Sequence, residues 1–320
     1  MRGADRVMSG GIWKKGILVV LVAALLLIPQ QLLAGRPKVE AAAAVLIDAR
    51  TGKVLWQVEG DRALPAAGMS QLMTQWLILD AVRSGRVDWE DSVRVGGKKQ
   101  AVQVSSGHGS RSDAGLMLRA DDKIPLNELF MGLAVSSSGE AGQALARYTA
   151  GSEASFAWMM NEKAHRIGLS ASTLFKPDRA GTADADAQEL PGGSRITAKD
   201  AAVMCRELIQ SHPEMLRMSS VTQTEIRSRG IYLTNRNAML PDFAGPHAYR
   251  GMDGLKAYGS DKDGYSLAGT AQRGDQRLIV VIMGAESREK SFQAAGRLLD
   301  YGYARSGSFA ERAASWLKLV

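Results

Sequence analysis

The order of strand-forming and helix-forming patterns constrains this chain more than any single residue does. Ala43 to Asp48 reads as a strand, Thr51-Gly52 as a turn, and Lys53 to Val58 as a second strand with alternating apolar positions. Strand patterns return only near the other end. Gly264 to Gln272 and Gln276 to Gly284 flank Arg273-Gly274-Asp275, a good hairpin turn. Almost everything between is helical. Ser70 to Arg83 carries Leu72, Met73, Trp76, Leu77, Leu79 and Val82, a wide apolar face ended at Gly85. Pro125 opens a helix over Leu126 to Val135, and Ala141 to Thr149 forms another, with Gly151 past its end. Ser152 is placed to cap Phe156 to Ile167, which Gly168 stops, and Thr197 to Asp200 resembles a capping box before Ala201 to Gln210. Ser287 to Tyr301 is helical again. The fold class this predicts is α+β: an antiparallel sheet built from both chain ends, flanked by helices, with a helical insertion.

The N-terminus has a different character. Arg2, Arg6, Lys14 and Lys15 precede an unbroken apolar run from Ile17 to Ile28. A basic flank before an apolar run is the pattern of a secretory signal or a signal anchor. The run is about 12 residues, or nearer 18 if Pro29 to Ala34 are counted, against roughly 20 for a full span. Small residues at Ala41 to Ala44 suit cleavage, so both a cut and a retained leader stay open here. No cysteine follows Leu33-Ala34-Gly35, which argues against a lipoprotein anchor. The expected organisation is a leader or anchor over 1–40, one globular domain over 41–305, and a short amphipathic helix over 306–320. The expected location is extracytoplasmic, secreted or held at the outer face of the cytoplasmic membrane. At the other end Phe309, Ala313, Trp316, Leu317 and Val320 mark one helical face, suited to docking on the core or to a membrane interface.

Charge and composition exclude several functions. The net charge of +7 is spread along the chain, with no basic run longer than two residues. That suits solubility or attraction to an anionic wall or membrane surface, and supplies no nucleic-acid-binding patch. The lone Cys205 lies in an apolar helical pattern and reads as a buried side chain. His108, His165, His212 and His247 show no ligand spacing, so no metal or other cofactor is expected.

Three short stretches stand out together. Leu64 to Thr74 (Leu-Pro-Ala-Ala-Gly-Met-Ser-Gln-Leu-Met-Thr) opens the Trp76 helix. Val135 to Ala141 (Val-Ser-Ser-Ser-Gly-Glu-Ala) lies between two helices of the insertion. Gly251 to Tyr258 (Gly-Met-Asp-Gly-Leu-Lys-Ala-Tyr) precedes the late hairpin. Their order and spacing resemble the serine D-Ala-D-Ala carboxypeptidases, the low-molecular-mass penicillin-binding proteins. That family carries Ser-x-x-Lys at a helix start, Ser-x-Asn in the helical region and Lys-Thr-Gly on a sheet edge. The resemblance runs from about Ala43 to about Tyr303. It includes the stretch Ile47 to Leu55, Asn161 to Ala164, Gly264 to Ala271 and Leu298 to Gly302. It implies a penicillin-binding-protein/β-lactamase-like fold and a link to peptidoglycan stem-peptide processing.

The chemistry so implied needs a serine hydroxyl, a lysine one helical turn later to take its proton, a serine and an amide in the insertion, and a cationic lysine beside a slim Thr-Gly strand. Most of these are replaced. Aligned through Leu64-Pro65 and Leu72 to Thr74, the nucleophile position is Gly68 and the base position Gln71. Glycine has nothing to acylate, and the glutamine amide does not titrate. In the second stretch Ser137 is kept while the Asn position is Gly139; in the third Lys256 is kept while Thr and Gly become Ala257 and Tyr258. A tyrosine at that glycine site should push into the substrate groove.

The expectation is a catalytically degenerate family member that binds or scaffolds, with a peptidoglycan stem peptide or a cell-wall protein as partner and the membrane reached through the N-terminal segment. Residual substrate binding would fall to Ser137, Lys256 and Tyr258. The alternative is an active serine-type D-Ala-D-Ala carboxypeptidase with a relocated nucleophile. Ser70 is the candidate, although it lies about 200° round the helix from Gly68, facing away from the cleft. Ser136, Ser137 and Ser138 read either as a turn with cap bonds or as a retained polar wall, and Lys256 either as a carboxylate site or as a solvated lysine.

Overall fold

The computed structural model describes residues 37–66, 68–95, 116, 118–119, 121–176, 193–260 and 264–306. In chain order the elements are β1 (Ala43–Asp48), β2 (Val54–Val58), β3 (Ala63–Pro65), α1 (Met69–Arg83), β4 (Ser92–Arg94), β5 (Lys123–Pro125), α2 (Leu126–Ser136), α3 (Gly139–Ala150), α4 (Glu153–Arg166), β6 (Arg195–Thr197), α5 (Ala198–Ser211), α6 (Glu214–Ser219), β7 (Gln223–Ile226), β8 (Ile231–Thr234), β9 (Met252–Ser260), β10 (Gly264–Arg273), β11 (Gln276–Ala285) and α7 (Arg288–Ser306). The predicted leader up to residue 36 and the predicted C-terminal amphipathic helix from residue 307 lie outside the described residues. Val39–Gly302 form one compact unit. Among the described residues no helix is long and apolar enough to cross a membrane.

The main sheet has the strand order β2-β1-β11-β10-β9, antiparallel throughout. Both chain ends build it, as the order of patterns predicts. β1 is apolar at successive positions because both faces of the sheet are covered. Val45, Ile47, Ile279 and Val281 face the core shared with the insertion. Leu46 and Leu278 face α7, close enough that a Cβ on Gly302 would lie 2.8 and 2.7 Å from their methyl carbons. The first hairpin is closed by Asp48, whose carboxylate accepts from the Thr51 amide and hydroxyl, both at 2.7 Å. The late hairpin turns on Gly274-Asp275, with Gly274 at φ +56°.

α1 runs through the middle of the domain. Twelve of its fifteen residues are buried, which explains why its apolar pattern is broad rather than a single stripe. It packs on α2, α3, α4 and α5. Caps read from sequence are present: Ser152 Oγ accepts from the Ser155 amide at 3.0 Å, and Thr197 Oγ1 from the Asp200 amide at 3.0 Å. The capping box at Thr197 is only half formed. The Asp200 carboxylate turns instead to Ser170 Oγ (2.5 Å) and Thr173 Oγ1 (2.6 Å), tying down the turn after α4. Cys205 is fully buried in α5, and burial pushes its thiol up to about 12.

Two features of this frame place the site. β9 is an edge strand of the sheet, and α6 packs beside it. β3 pairs with β6, fixing Leu64 opposite Ile196 and setting where the chain enters α1.

Candidate active site

The three stretches singled out in the sequence meet at the start of α1. Gly68 is the N-cap of α1, in right-handed helical conformation with no side chain to cap the helix. Gln71 follows on the first turn, 3% exposed. Its Nε2 donates to the main-chain oxygen of Ser137 at 3.2 Å, while its Oε1 has no hydrogen-bond partner among the described residues. Ser137 is the C-cap of α2 in the left-handed region (φ 61°, ψ 34°), and its hydroxyl donates to the Ala257 main-chain oxygen at 3.5 Å. A single chain of contacts therefore links α1, the α2–α3 corner and β9.

Tyr258 meets Gly68 directly. A Cβ built on Gly68 would lie 2.4 Å from Tyr258 Cβ, 2.8 Å from its Cγ and 3.3 Å from its Cδ2. Cβ atoms essentially never come within 3.0 Å of a non-bonded heavy atom, so the space a side chain at position 68 needs is already filled. A separate crevice between β9 and α7, lined by Ala257, Tyr258, Gly259, Ser266, Arg288 and Ser291, has a cavity volume of about 0 Å³. Tyr258, expected to push into the groove, thus packs against Gly68, the residue expected at the nucleophile position.

Lys256 corrects one reading. It is not a solvated lysine: it is 2% exposed, and its Nζ donates to the main-chain oxygens of Leu133, in a short bond, and of Ala134 at 3.5 Å. These carbonyls belong to the last turn of α2, where the partial negative charge of a helix end favours a cation. Its neighbours on the strand are fixed in turn. Asp253 pairs with Arg277 through two contacts of 2.8 and 2.7 Å, and Asn237 Nδ2 donates to the Gly254 oxygen at 3.4 Å.

The remaining hydroxyls do structural work. Ser136 Oγ donates to the Gly132 oxygen at 2.8 Å, and Ser138 Oγ caps α3 by accepting from the Ala141 amide at 3.3 Å. Ser70 is 1% exposed on the first turn of α1. Gly139 is the first residue of α3, next to Ser138 rather than in the Gln71–Ser137–Ala257 chain.

Two basic residues escaped the sequence reading. Arg236 and Arg288 line the crevice beside Tyr258, with Ser266 and Ser291. Arg236 had a signal. It stands between two asparagines that are nearly buried, and its amide donates to the Val135 oxygen at 3.3 Å, so the triplet ties β8 to the α2–α3 corner. Arg288 sits at the start of α7, where nothing in the local pattern marks it.

An antiparallel sheet from both chain ends, a central buried helix and a helical insertion carrying the second stretch define the penicillin-binding-protein class of fold. Penicillin binding protein 6B from Escherichia coli superposes with a TM-score of 0.71 at 31% identity, covering 84% of this chain and 79% of that one. Penicillin-Binding Protein D2 from Listeria monocytogenes, in its ampicillin-bound form, superposes with a TM-score of 0.70 at 27% identity, covering 84% of this chain and all of that one. The family profile described as D-alanyl-D-alanine carboxypeptidase matches residues 30–287. The chain belongs to the D-alanyl-D-alanine carboxypeptidase family. D-alanyl-D-alanine carboxypeptidase DacF of Bacillus subtilis is 28% identical over 269 residues, 83% of this chain and 63% of that protein. The chain thus spans about 63% of the length of this curated relative.

Proposed function

We propose that this chain is a catalytically silent member of its family that works outside the cytoplasmic membrane as a binding or scaffolding module of the cell wall. The observation that carries the reading is the filled space at Gly68. An acylating serine there needs room for a side chain and, after attack, for an acyl group, and Tyr258 Cβ and ring stand in that room. The other replacements point the same way. The Gln71 amide can neither take nor give a proton in the range where a lysine base works. The Lys256 ammonium is buried against two α2 carbonyls, so a carboxylate ligand would first have to uncover it.

The test is acylation. The full chain is incubated with a fluorescent penicillin beside an active carboxypeptidase. No covalent label is expected on this chain, and label on any serine ends the proposal. The filled space between Gly68 and Tyr258 favours a cell-wall protein over a stem peptide as partner. Titration calorimetry with pentapeptide-bearing muropeptides should give no heat of binding. Measurable binding that Lys256→Ala abolishes would restore the stem peptide as ligand.

A further inference from the structure

The far end of α1 carries a second concave surface. Asp80 lies twelve residues beyond Gly68, about 18 Å along the helix axis, so this surface is separate from the crevice at Tyr258. It is an open groove of about 590 Å³ between the last turns of α1 and the outer side of α4. Leu77, Trp158 and Met159 give it an apolar lining. Trp158 is 66% exposed, an unusual state for the largest apolar side chain in a stably folded domain.

The groove is also cationic. Of its basic residues, Lys163 is neutralised by Asp80 at 2.9 Å and rests over the Trp76 ring. Arg83 is partly neutralised by Glu214 at 3.3 Å. Arg86 donates through Nε to Ser84 Oγ, and neither it nor Arg166 has a carboxylate partner among the described residues. The one carboxylate of the lining, Asp80, is already committed to Lys163 and His212. Two exposed guanidiniums flanking an apolar groove with a bare tryptophan are an unbalanced arrangement.

We infer that this groove docks an acidic peptide segment of a partner protein, one that sets bulky apolar side chains against Leu77, Trp158 and Met159 and offers carboxylates to Arg86 and Arg166. The guanidinium forks favour planar two-point contact with a carboxylate. Tryptophan and arginine are also the side chains that most often dominate a protein interface. The volume falls in the range of clefts that enclose a ligand, roughly 300–1,000 Å³, whereas an anionic membrane is a flat surface that meets protruding groups. The inference does not depend on whether the Tyr258 crevice is silent.

The test selects ligands without presupposing their sequence. A displayed random-peptide library is selected on the full chain in non-ionic detergent, and survivors are counter-selected on Arg86→Glu/Arg166→Glu. These two residues are exposed, so the variant should fold normally, which its unfolding curve checks. Enrichment of Asp and Glu beside bulky apolar residues is expected, with binding at least about tenfold weaker to the charge-reversed variant and to Trp158→Ala. The inference is overturned if no enriched peptide distinguishes wild type from Arg86→Glu/Arg166→Glu, or if the enriched peptides lack acidic residues. Phosphatidylglycerol vesicles form the parallel arm. Vesicle binding that falls in Arg86→Glu/Arg166→Glu, with no acidic peptide selected, assigns the groove to the membrane surface and also overturns it. Penicillin labelling reads the crevice alone, so the two proposals fail separately.

Discussion

Placing a serine at position 68 is the sharpest probe of the contact between α1 and β9. In Gly68→Ser the new Cβ starts 2.4 Å from Tyr258 Cβ and must recede by 0.6 Å merely to reach the 3.0 Å limit. Rotating the tyrosine ring gives no relief, because the nearest atom is the Cβ, which is fixed to the β9 main chain. β9 or the start of α1 must move, and overpacking of this kind costs about 1–3 kcal/mol. In a Tyr258→Gly background the obstruction is gone, and serine at an N-cap matches or slightly exceeds glycine. Gly68→Ser should then cost less than about 0.5 kcal/mol, so the double-mutant cycle should yield a coupling of about 2 kcal/mol. Urea unfolding of the four proteins measures it, provided the denaturant slope is unchanged. Equal costs in both backgrounds would refute the steric argument. Fluorescent penicillin extends the experiment to chemistry. Gly68→Ser/Gln71→Lys should stay unlabelled while Tyr258 is present, and labelling of that variant would show that the cleft is otherwise whole.

Other outcomes follow from contacts elsewhere. Lys256→Met keeps the bulk of the side chain but strands two buried carbonyls of α2. It should lose about 2 kcal/mol in urea unfolding, and a loss below about 0.5 kcal/mol would mean those bonds are not formed in solution. Burial raises the Asp80 carboxyl, but hydrogen bonds and charge from His212 and Lys163 outweigh it and hold the group below its ordinary 3.8. The stability it contributes is therefore complete above pH 3.8 and drains away as pH falls through the lower folded value; melting curves between neutral and strongly acid pH should show a shallower acid loss in Asp80→Asn than in wild type. Cys205, buried and with its thiol pushed up to about 12, should react with a disulfide reagent only as fast as the domain opens. Rapid modification under native conditions would contradict the packing of α5.

Local patterns made much of this architecture legible. The hairpins at Thr51-Gly52 and Gly274-Asp275 depend on nearest neighbours, as do the caps at Ser152 and Thr197, and each is found where the residue types place it. The expectation that Gly68 and Gln71 stand at the family's nucleophile and base positions is equally local, because both are read against fixed neighbours. What sequence could not supply was the outcome of long-range meetings. Whether Lys256 points to solvent or to the end of α2 depends on how β9 and the insertion approach each other, and no pattern around residue 256 encodes that. The same holds for Arg288, whose role depends on where α7 begins in space. The arginine-flanked groove joins α1 to α4, and its exposed Trp158 looks in sequence like one more apolar position of a helix.

The fit of Tyr258 over Gly68 also governs which sequence changes remain open to this lineage. Glycine at 68 tolerates many side chains at 258, but the tyrosine makes a serine at 68 alone unfavourable, and a glycine at 258 alone supplies no nucleophile. Neither single change confers a gain, so the pair acts as a ratchet: substitutions can elaborate other surfaces of the molecule far more readily than they can install a hydroxyl at the start of α1.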